Sequence, residues 1–501
     1  MPTFAPIPLG QPIPASPHAV SCSLPTMQAV HGYEQKDPAI TGRMTSGYPR
    51  FVVHPFLQQL AAHYRDAAQL DSRQLWLVSS PRMAVAVQTE LQQAGAGGTV
   101  HDFDNLAAIS HADTPELSRC AKTLLQNTGG FLSSRAAEDR LVQLGLLPAA
   151  QPEHYFPDNA ITEVRRHLQP LFAGTTVEDI LPASCGINAL HVALDALADR
   201  QAARGRTIWI QVGWLYLDTI ALLKRRARTP ADYIHLHDVF DLPALELIFA
   251  QHGARIAGLV IEAPTNPLLQ TPDLAAIARL ARAYDAAVLI DPSVSSVYSV
   301  DVLPHADVVV ASLTKYCASE GDLMAGLVVV NPRIAGAAEL RREIKARLEP
   351  AYPRDLARLA HEIGATRQVL RHIETTVPLV AAWLEAHAGV RQVIWAHSPP
   401  SRANYERIAR TPGSVGSMIS FTVKKPLAEA FDRLRLPKGP SFGMKTTLIC
   451  PFIYLAHYEL ATTPAGRAEL AANGIDPDLL RLSIGTEPAQ DIITALAEAL
   501  A

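Results

Sequence analysis

The sequence predicts an α/β protein built on a mostly parallel sheet flanked by helices, and three observations carry that expectation. Short apolar runs recur through the middle of the chain at TIWIQV (207–212), AGLVIEA (257–263), AAVLIDP (286–292) and DVVVAS (307–312). Each is continuous rather than alternating, as strands buried on both faces are. Helical patterns lie between them, such as LAAIARLARAYD (274–285) with Pro272 and Asp273 at its start, and the alternation is the βαβ rhythm of a covered parallel sheet. After about residue 330 the character changes. Arg-rich helical sequence, AAELRREIKARLEP, precedes strand signals at VRQVIWA and SMISFTVKK, which predicts a smaller C-terminal α/β domain.

Taken in order, residues 1–45 read as a Pro-rich extended arm. Seven prolines before position 26 forbid regular helix there, leaving a loose tail or an arm that clasps a neighbouring subunit. Residues 46–125 form a small α/β extension. LWLVSS (75–80) is a strand, PRMAVAVQTELQQAG (81–95) a helix with Pro81 near its start and Gly95 past its end, and TVHDFD another strand. The large domain spans 126–330 and the small C-terminal domain 331–501. No internal repeat is present.

Composition narrows the function classes. At 501 residues, 48% hydrophobic and 18% charged, the chain has room for two or three cores. A net charge of −4 provides no basic footprint for nucleic acid. The five cysteines (Cys22, Cys120, Cys185, Cys317, Cys450) lie far apart without a CxxC pair, which reads as reduced thiols rather than a disulfide scaffold or zinc site. The first 25 residues hold no lysine, arginine or apolar core of a secretory signal. No run approaches the roughly 18 apolar residues of a membrane span. A soluble cytoplasmic protein is the expectation, with no membrane partner.

Chemistry in such a sheet gathers at the carboxyl ends of its strands. Three ends carry unusual groups here: Glu262 and Asn266 after AGLVI, Asp291 after AAVLI, and Ser312, Thr314 and Lys315 after DVVVA. A lysine leaving a buried strand is costly as a cation, and one escape is to serve as a Schiff-base nucleophile. An amine, a carboxylate and two hydroxyls on one edge suit a phosphorylated aromatic aldehyde.

Those residues stand in motifs. PTNP (Pro264–Pro267), Asp291 at its strand end, Ser312–Tyr316 with Lys315 24 positions after Asp291, and RLSIGTEP (481–488) occur in this order. The chain thereby resembles the pyridoxal-phosphate (PLP) enzymes of the cystathionine γ-synthase family. PIPASPHAVSCSLP, GYPRF (47–51), GGFLSSRAAEDR (129–140) and LYLDT (215–219) make the fungal-type cystathionine γ-synthases, which carry an N-terminal extension, the nearest likeness. The resemblance implies an aspartate aminotransferase-like, type I fold, PLP as cofactor, amino-acid substrates and a homodimer or homotetramer. It implies that Lys315 binds the cofactor and acts as base, that Asp291 pairs with its ring nitrogen, and that Asn266 meets its phenolic oxygen. Tyr216 would stack on the ring. Cys185 and Gly186, with Ser312 and Thr314, would hold the phosphate. Arg481 would bind the substrate carboxylate, and Thr447 would stand near it. The family's Tyr-x-Arg pair, which reaches a neighbour's phosphate, has two counterparts, Tyr48/Arg50 and Ser133/Arg135. Arg135, 50 positions before Cys185, is the preferred one, at the expense of a serine where the family has tyrosine.

The activity implied is γ-replacement, joining an O-acyl-L-homoserine to L-cysteine to make cystathionine for methionine biosynthesis. β- or γ-lyase chemistry and replacement by another nucleophile stay open, because CASEGD (317–322) departs from the family beside the lysine. A non-catalytic regulatory relative is the reading from another class.

Overall fold

In the computed structural model, which describes residues 4–49 and 51–501, the apolar runs of the middle region become strands within one residue of where the pattern puts them. In chain order the N-terminal part holds β1 (Pro12–Ile13), β2 (Ser21–Cys22), β3 (Arg73–Leu77), β4 (Gly98–Asp102) and β5 (Ala107–Ala112). The central sheet follows: β6 (Ile180–Ala183), β7 (Ile208–Val212), β8 (Tyr233–Leu236), β9 (Ile256–Glu262), β10 (Ala287–Asp291), β11 (Val308–Ser312) and β12 (Gly326–Val330). Its order is β6-β12-β11-β10-β9-β7-β8. β12 runs against both of its neighbours, while the β11-β10-β9-β7-β8 pairings are all parallel. β9, β10 and β11 are buried along their length except at the last residue of β10 and of β11, where Asp291 and Ser312 look out.

The small domain is a separate antiparallel sheet of β13 (Val390–Trp395), β14 (Met418–Val423), β15 (Leu448–Pro451) and β16 (Leu480–Ser483), ordered β13-β14-β16-β15. In the extension, β3, β5 and β4 form a three-stranded antiparallel sheet. Its helices begin where the sequence signals them. Ser80 accepts from the Met83 N–H ahead of Pro81, and Thr114 accepts from Leu117 ahead of Pro115. The second strand of the extension stops at Asp102, because Asp104 and Asn105 take positive φ to turn the chain into β5.

The arm departs from the expectation of a wholly extended segment. Beyond Pro25 it turns helical over Met27–Glu34, with Thr26 accepting from the Ala29 N–H. Nor is it a loose tail. The Leu24 N–H donates to Lys438 O (3.0 Å), the Met27 N–H to Asp432 Oδ1 (2.8 Å), and the Lys438 ammonium donates to Pro25 O (2.7 Å). Cys22, Leu24 and Val30 are buried in the same apolar core as β9, β10 and the small sheet. The prolines keep the backbone extended, and the apolar residues between them pin it to its own chain. Arg50 lies outside the described residues. Among the described residues no helix is long and apolar enough to cross a membrane.

A Leu24→Ala substitution removes a side chain that is 1% exposed. It is expected to cost about 2–4 kcal/mol in denaturant unfolding. A loss below about 1 kcal/mol would mean that the arm does not belong to the core.

Candidate active site

A cavity of about 380 Å³ opens at the carboxyl edge of the central sheet. The arm, the ends of β9, β10 and β11, the segment after Pro440, and Arg481 of β16 all contribute to its walls. Lys315 lines it. Its Nζ meets the Tyr48 hydroxyl and Ser441 Oγ (3.1 Å), with the Phe442 ring 4.7 Å away. No carboxylate pairs with it among the described residues. Burial first, and the Arg481 charge second, hold the amine well below the ordinary lysine range. A buried, neutral amine is a nucleophile and a base rather than a surface cation.

Asp291 ends β10 directly opposite Glu262 at the end of β9. Two buried carboxylates side by side cannot both ionise cheaply. Glu262 is pushed well above the carboxylate range by burial and by the charge of Asp291. Burial raises Asp291 to about 6. Glu262 therefore keeps its proton, and Asp291 carries the negative charge at neutral pH. The Ser293 N–H donates to Asp291 Oδ1 (2.8 Å), while Ser293 Oγ accepts from the Ser312 N–H (2.7 Å). This tie locks the ends of β10 and β11 together.

The helix Gly186–Ala202 points its N-terminus at the same edge. The side chain of its N-cap, Cys185, makes no full capping hydrogen bond, although the Ile187 and Asn188 N–H groups face its thiol. A Cβ on Gly186 would come within 2.7 Å of Ser312 Cβ, and one on Gly326 within 2.2 Å of Cys185 O. The turn is thus a close-packed anion cradle. Burial raises the Cys185 thiol and keeps it neutral. Of the two hydroxyls expected there, Ser312 lies beside Gly186, whereas Thr314 Oγ1 already accepts from the Ala325 N–H (2.9 Å) and faces Ala325 O.

Arg481 reaches the cavity from the small domain. Its guanidinium donates to Asn266 Oδ1 (3.2 Å) and Ser441 O (3.3 Å) and lies 4.4 Å from the Phe452 ring centre. It has no carboxylate partner among the described residues, which leaves a planar donor for an anion. Tyr216 caps the helix Leu217–Arg226, places its ring on the cavity wall, and donates its N–H to Glu262 Oε1. An amine, an ionised carboxylate, an anion cradle and a stacking ring converge on one cavity. This donor set fits PLP, with Lys315, Asp291, Asn266, Tyr216, Ser312, Cys185 and Gly186 as the residues that would hold it.

Two expected residues are placed otherwise. Arg135, the preferred phosphate arginine, is enclosed by carboxylates. It pairs with Glu153 (2.5 Å) and Asp355 (2.9 Å), and Asp322 stands 3.8 Å away. A guanidinium so committed has no face left for a neighbour's phosphate. Ser133 likewise turns to Asp355 Oδ2. Thr447 does not line the cavity. Its hydroxyl donates to Glu487 Oε2 (2.6 Å) and accepts from the Gly485 N–H (2.9 Å), bracing the turn after β16. Ser441 stands beside Lys315 and Arg481 instead. Of the departure at CASEGD, Cys317 is buried, while Asp322, paired with Arg358 (2.9 Å), reaches the cavity wall together with the following Leu323 and Met324. Tyr48, which the sequence offered as half of the less favoured Tyr48/Arg50 counterpart, stands beside Lys315.

Comparisons with known proteins bear on the family and the fold. The profile of the family described as Cys/Met metabolism PLP-dependent enzyme matches residues 161–501. The L-2-amino-4-chloropent-4-enoate dechlorinase/desaturase of Streptantibioticus cattleyicolor is 35% identical across 98% of this chain and 97% of its own. Cystathionine gamma-synthase of Neurospora crassa is 26% identical across 99% and 98%. Among solved structures, cystathionine gamma synthase from Xanthomonas oryzae pv. oryzae, in complex with aminoacrylate and cysteine, aligns with a TM-score of 0.58 at 27% identity, over 68% of this chain and 86% of its own.

Asp291→Asn offers a test with opposite signs. The Asp291 carboxyl titrates near 6 in the folded protein and near 3.9 when unfolded, so its contribution to stability falls as pH rises from about 4 to about 6 and stays reduced above. Cofactor-free Asp291→Asn is therefore expected to be more stable than the wild type at pH 7.5, by on the order of 2 kcal/mol. With PLP bound the order reverses. A cofactor-free variant no more stable than wild type would contradict the assignment. For the cradle, Gly186→Ala is expected to weaken PLP binding about tenfold or more, read by equilibrium dialysis; unchanged binding would show that the turn holds no phosphate.

Proposed function

The chain belongs to the PLP-dependent enzymes of cysteine and methionine metabolism, and on that premise we propose that it expels a leaving group from the γ-carbon of an α-amino acid. The preferred substrate in this reading is an L-2-amino-4-chloropent-4-enoate-type amino acid that loses chloride.

The observation that carries the reading is the lining of the cavity. Leu323, Met324 and Leu455 offer an apolar wall. Of the two arginines among the described lining residues, Arg481 is free for the substrate carboxylate and Arg135 is spent on acids. No second arginine among them is left for a leaving group that bears its own carboxylate, such as a succinyl ester. A neutral chloroalkenyl group suits such a wall without leaving a charge unpaired. Likeness to the dechlorinase/desaturase over nearly the whole chain supports the same choice.

PLP, when bound, supplies an electron sink for charge developing at the α-carbon. Arg481 orients the substrate through its carboxylate. The neutral Lys315 amine takes the proton from the α-carbon, and the apolar wall keeps water from the γ-carbon. Overall one proton and one chloride leave, and the product gains one degree of unsaturation. The free state of all five cysteines supports a reducing, cytoplasmic setting.

A second reading is replacement of an O-acylhomoserine leaving group by cysteine. It is favoured by the alignment with a cystathionine gamma synthase whose structure holds cysteine.

The deciding experiment supplies PLP-loaded protein with L-2-amino-4-chloropent-4-enoate, and separately with O-acetyl- and O-succinylhomoserine with and without L-cysteine. Chloride release matched by a product lighter by one HCl is the expected result. Cystathionine formed only when cysteine is present, without chloride release, would replace the first reading with the second.

A further inference from the structure

Arg481 is a buried cation held by aromatic rings where an acid would ordinarily stand. It is 4% exposed, and its Cζ lies over the Phe452 ring, 4.4 Å from the centre, and over the Phe442 ring at 5.3 Å. Its hydrogen bonds go to neutral acceptors, from Nη1 to Asn266 Oδ1 (3.2 Å) and from Nη2 to Ser441 O (3.3 Å). In the β15–β16 ladder it stands opposite Cys450, whose thiol faces it and is raised by burial. Phe442, Cys450, Phe452 and Arg481 all line the cavity.

Both rings are themselves fixed. Phe452 opens the short helix Phe452–Ala456 directly after β15 and meets the His457 ring edge-on, 6.4 Å between centres. His457 Nε2 in turn accepts from Trp214 Nε1 (3.1 Å). Phe442 packs edge-on against Tyr316 at 6.2 Å, and the Tyr316 hydroxyl donates to Val294 O (2.5 Å). A ring face attracts a cation. Unlike a carboxylate, it does not neutralise that cation or compete for the charge-assisted hydrogen bonds an arriving anion makes. Burying the guanidinium with no such neighbour would be far more costly.

We propose that Phe442 and Phe452 are positioning residues that hold the Arg481 guanidinium, charged and un-neutralised, for the α-carboxylate of the substrate. The rings act through Arg481. A ligand therefore gains from them only through its carboxylate, and an amine of the same carbon chain without that group gains nothing. The pair of rings thus sets the preference of the site for amino acids over simple amines. Phe442 also lies 4.7 Å from the Lys315 amine, which makes Phe452 the cleaner probe. The inference rests on the role of Arg481 in the reading above and is independent of the leaving group.

The test titrates PLP-loaded, full-length wild type and Phe452→Leu with two ligands that have no leaving group. One is L-norvaline; the other is n-butylamine, the amine left when its carboxylate is removed. Binding is followed by the change in the visible band of the bound cofactor. Phe452→Leu is expected to weaken norvaline binding about fivefold or more while butylamine binding changes less than about twofold. Equal weakening of both ligands would mean a loosened pocket and overturns the proposal. Unchanged norvaline binding overturns it as well. If Phe452→Leu does not fold, Phe442→Leu is read with the same two ligands and the same criteria. A wild type that binds both ligands equally would remove the carboxylate role of Arg481, and the proposal with it. A selective loss of norvaline binding, in an enzyme that releases no chloride from the halide substrate, would refute only the halide reading above.

Discussion

The burial of the Lys315 amine without a carboxylate to neutralise it is the constraint on which the rest of the structure turns. A lysine in that position loses its charge, and a neutral amine needs only hydrogen-bonding and aromatic neighbours to be satisfied. Those neighbours come from three distant parts of the chain: Tyr48 from the arm, Ser441 and Phe442 from the segment before β15, and Arg481 from β16. The arginine adds to the effect of burial, because a fixed positive charge nearby disfavours a second one. The same arginine is left without an acidic partner among the described residues, so the pair is arranged for an anionic, amine-bearing ligand.

The acidic side of the site follows the same logic with the sign reversed. Parallel register sets Glu262 against Asp291, and their mutual repulsion sorts them into one protonated and one ionised acid. Glu262 is further engaged by the Tyr216 N–H, so the acid kept protonated by burial and by the charge of Asp291 also positions Tyr216. The tie through Ser293 to Ser312 then carries that geometry from β10 to β11 and to the helix N-terminus at Gly186. Strand ends, helix end and acid pair form one connected edge.

The charges around the mouth of the cavity serve cohesion instead. Arg135, Arg354 and Arg358 are shared among Glu138, Glu153, Asp322, Asp355 and Glu362, which joins the helix Ser134–Gln143 to the helix Pro353–Glu362. Buried ion pairs of this kind need every partner present, because a single unpaired charge costs far more than the pair contributes. This explains why an arginine in a promising motif proved unavailable. Among the departures at Cys317–Asp322, Asp322 reaches the cavity wall as a member of this ion-pair network.

The sequence by itself determined the central sheet and the strand ends that carry Glu262, Asp291, Ser312 and Lys315, and it pointed to Gly186 and Arg481, which line the same cavity. These are local properties: a continuous β-branched run makes a buried strand, and such strands place their last residues on one edge. Only the tertiary structure committed Arg135 to acidic partners, turned Thr447 and the Thr314 hydroxyl to structural partners, and set Ser441 beside the amine. It also folded the arm onto its own small domain and brought Tyr48 to Lys315. Periodicity and motif spacing describe neighbours along the chain. A contact spanning 267 positions, or the enclosure of an arginine by three nearby acids, depends on which surfaces meet when apolar segments are buried together. That information resides in the packing of the whole chain.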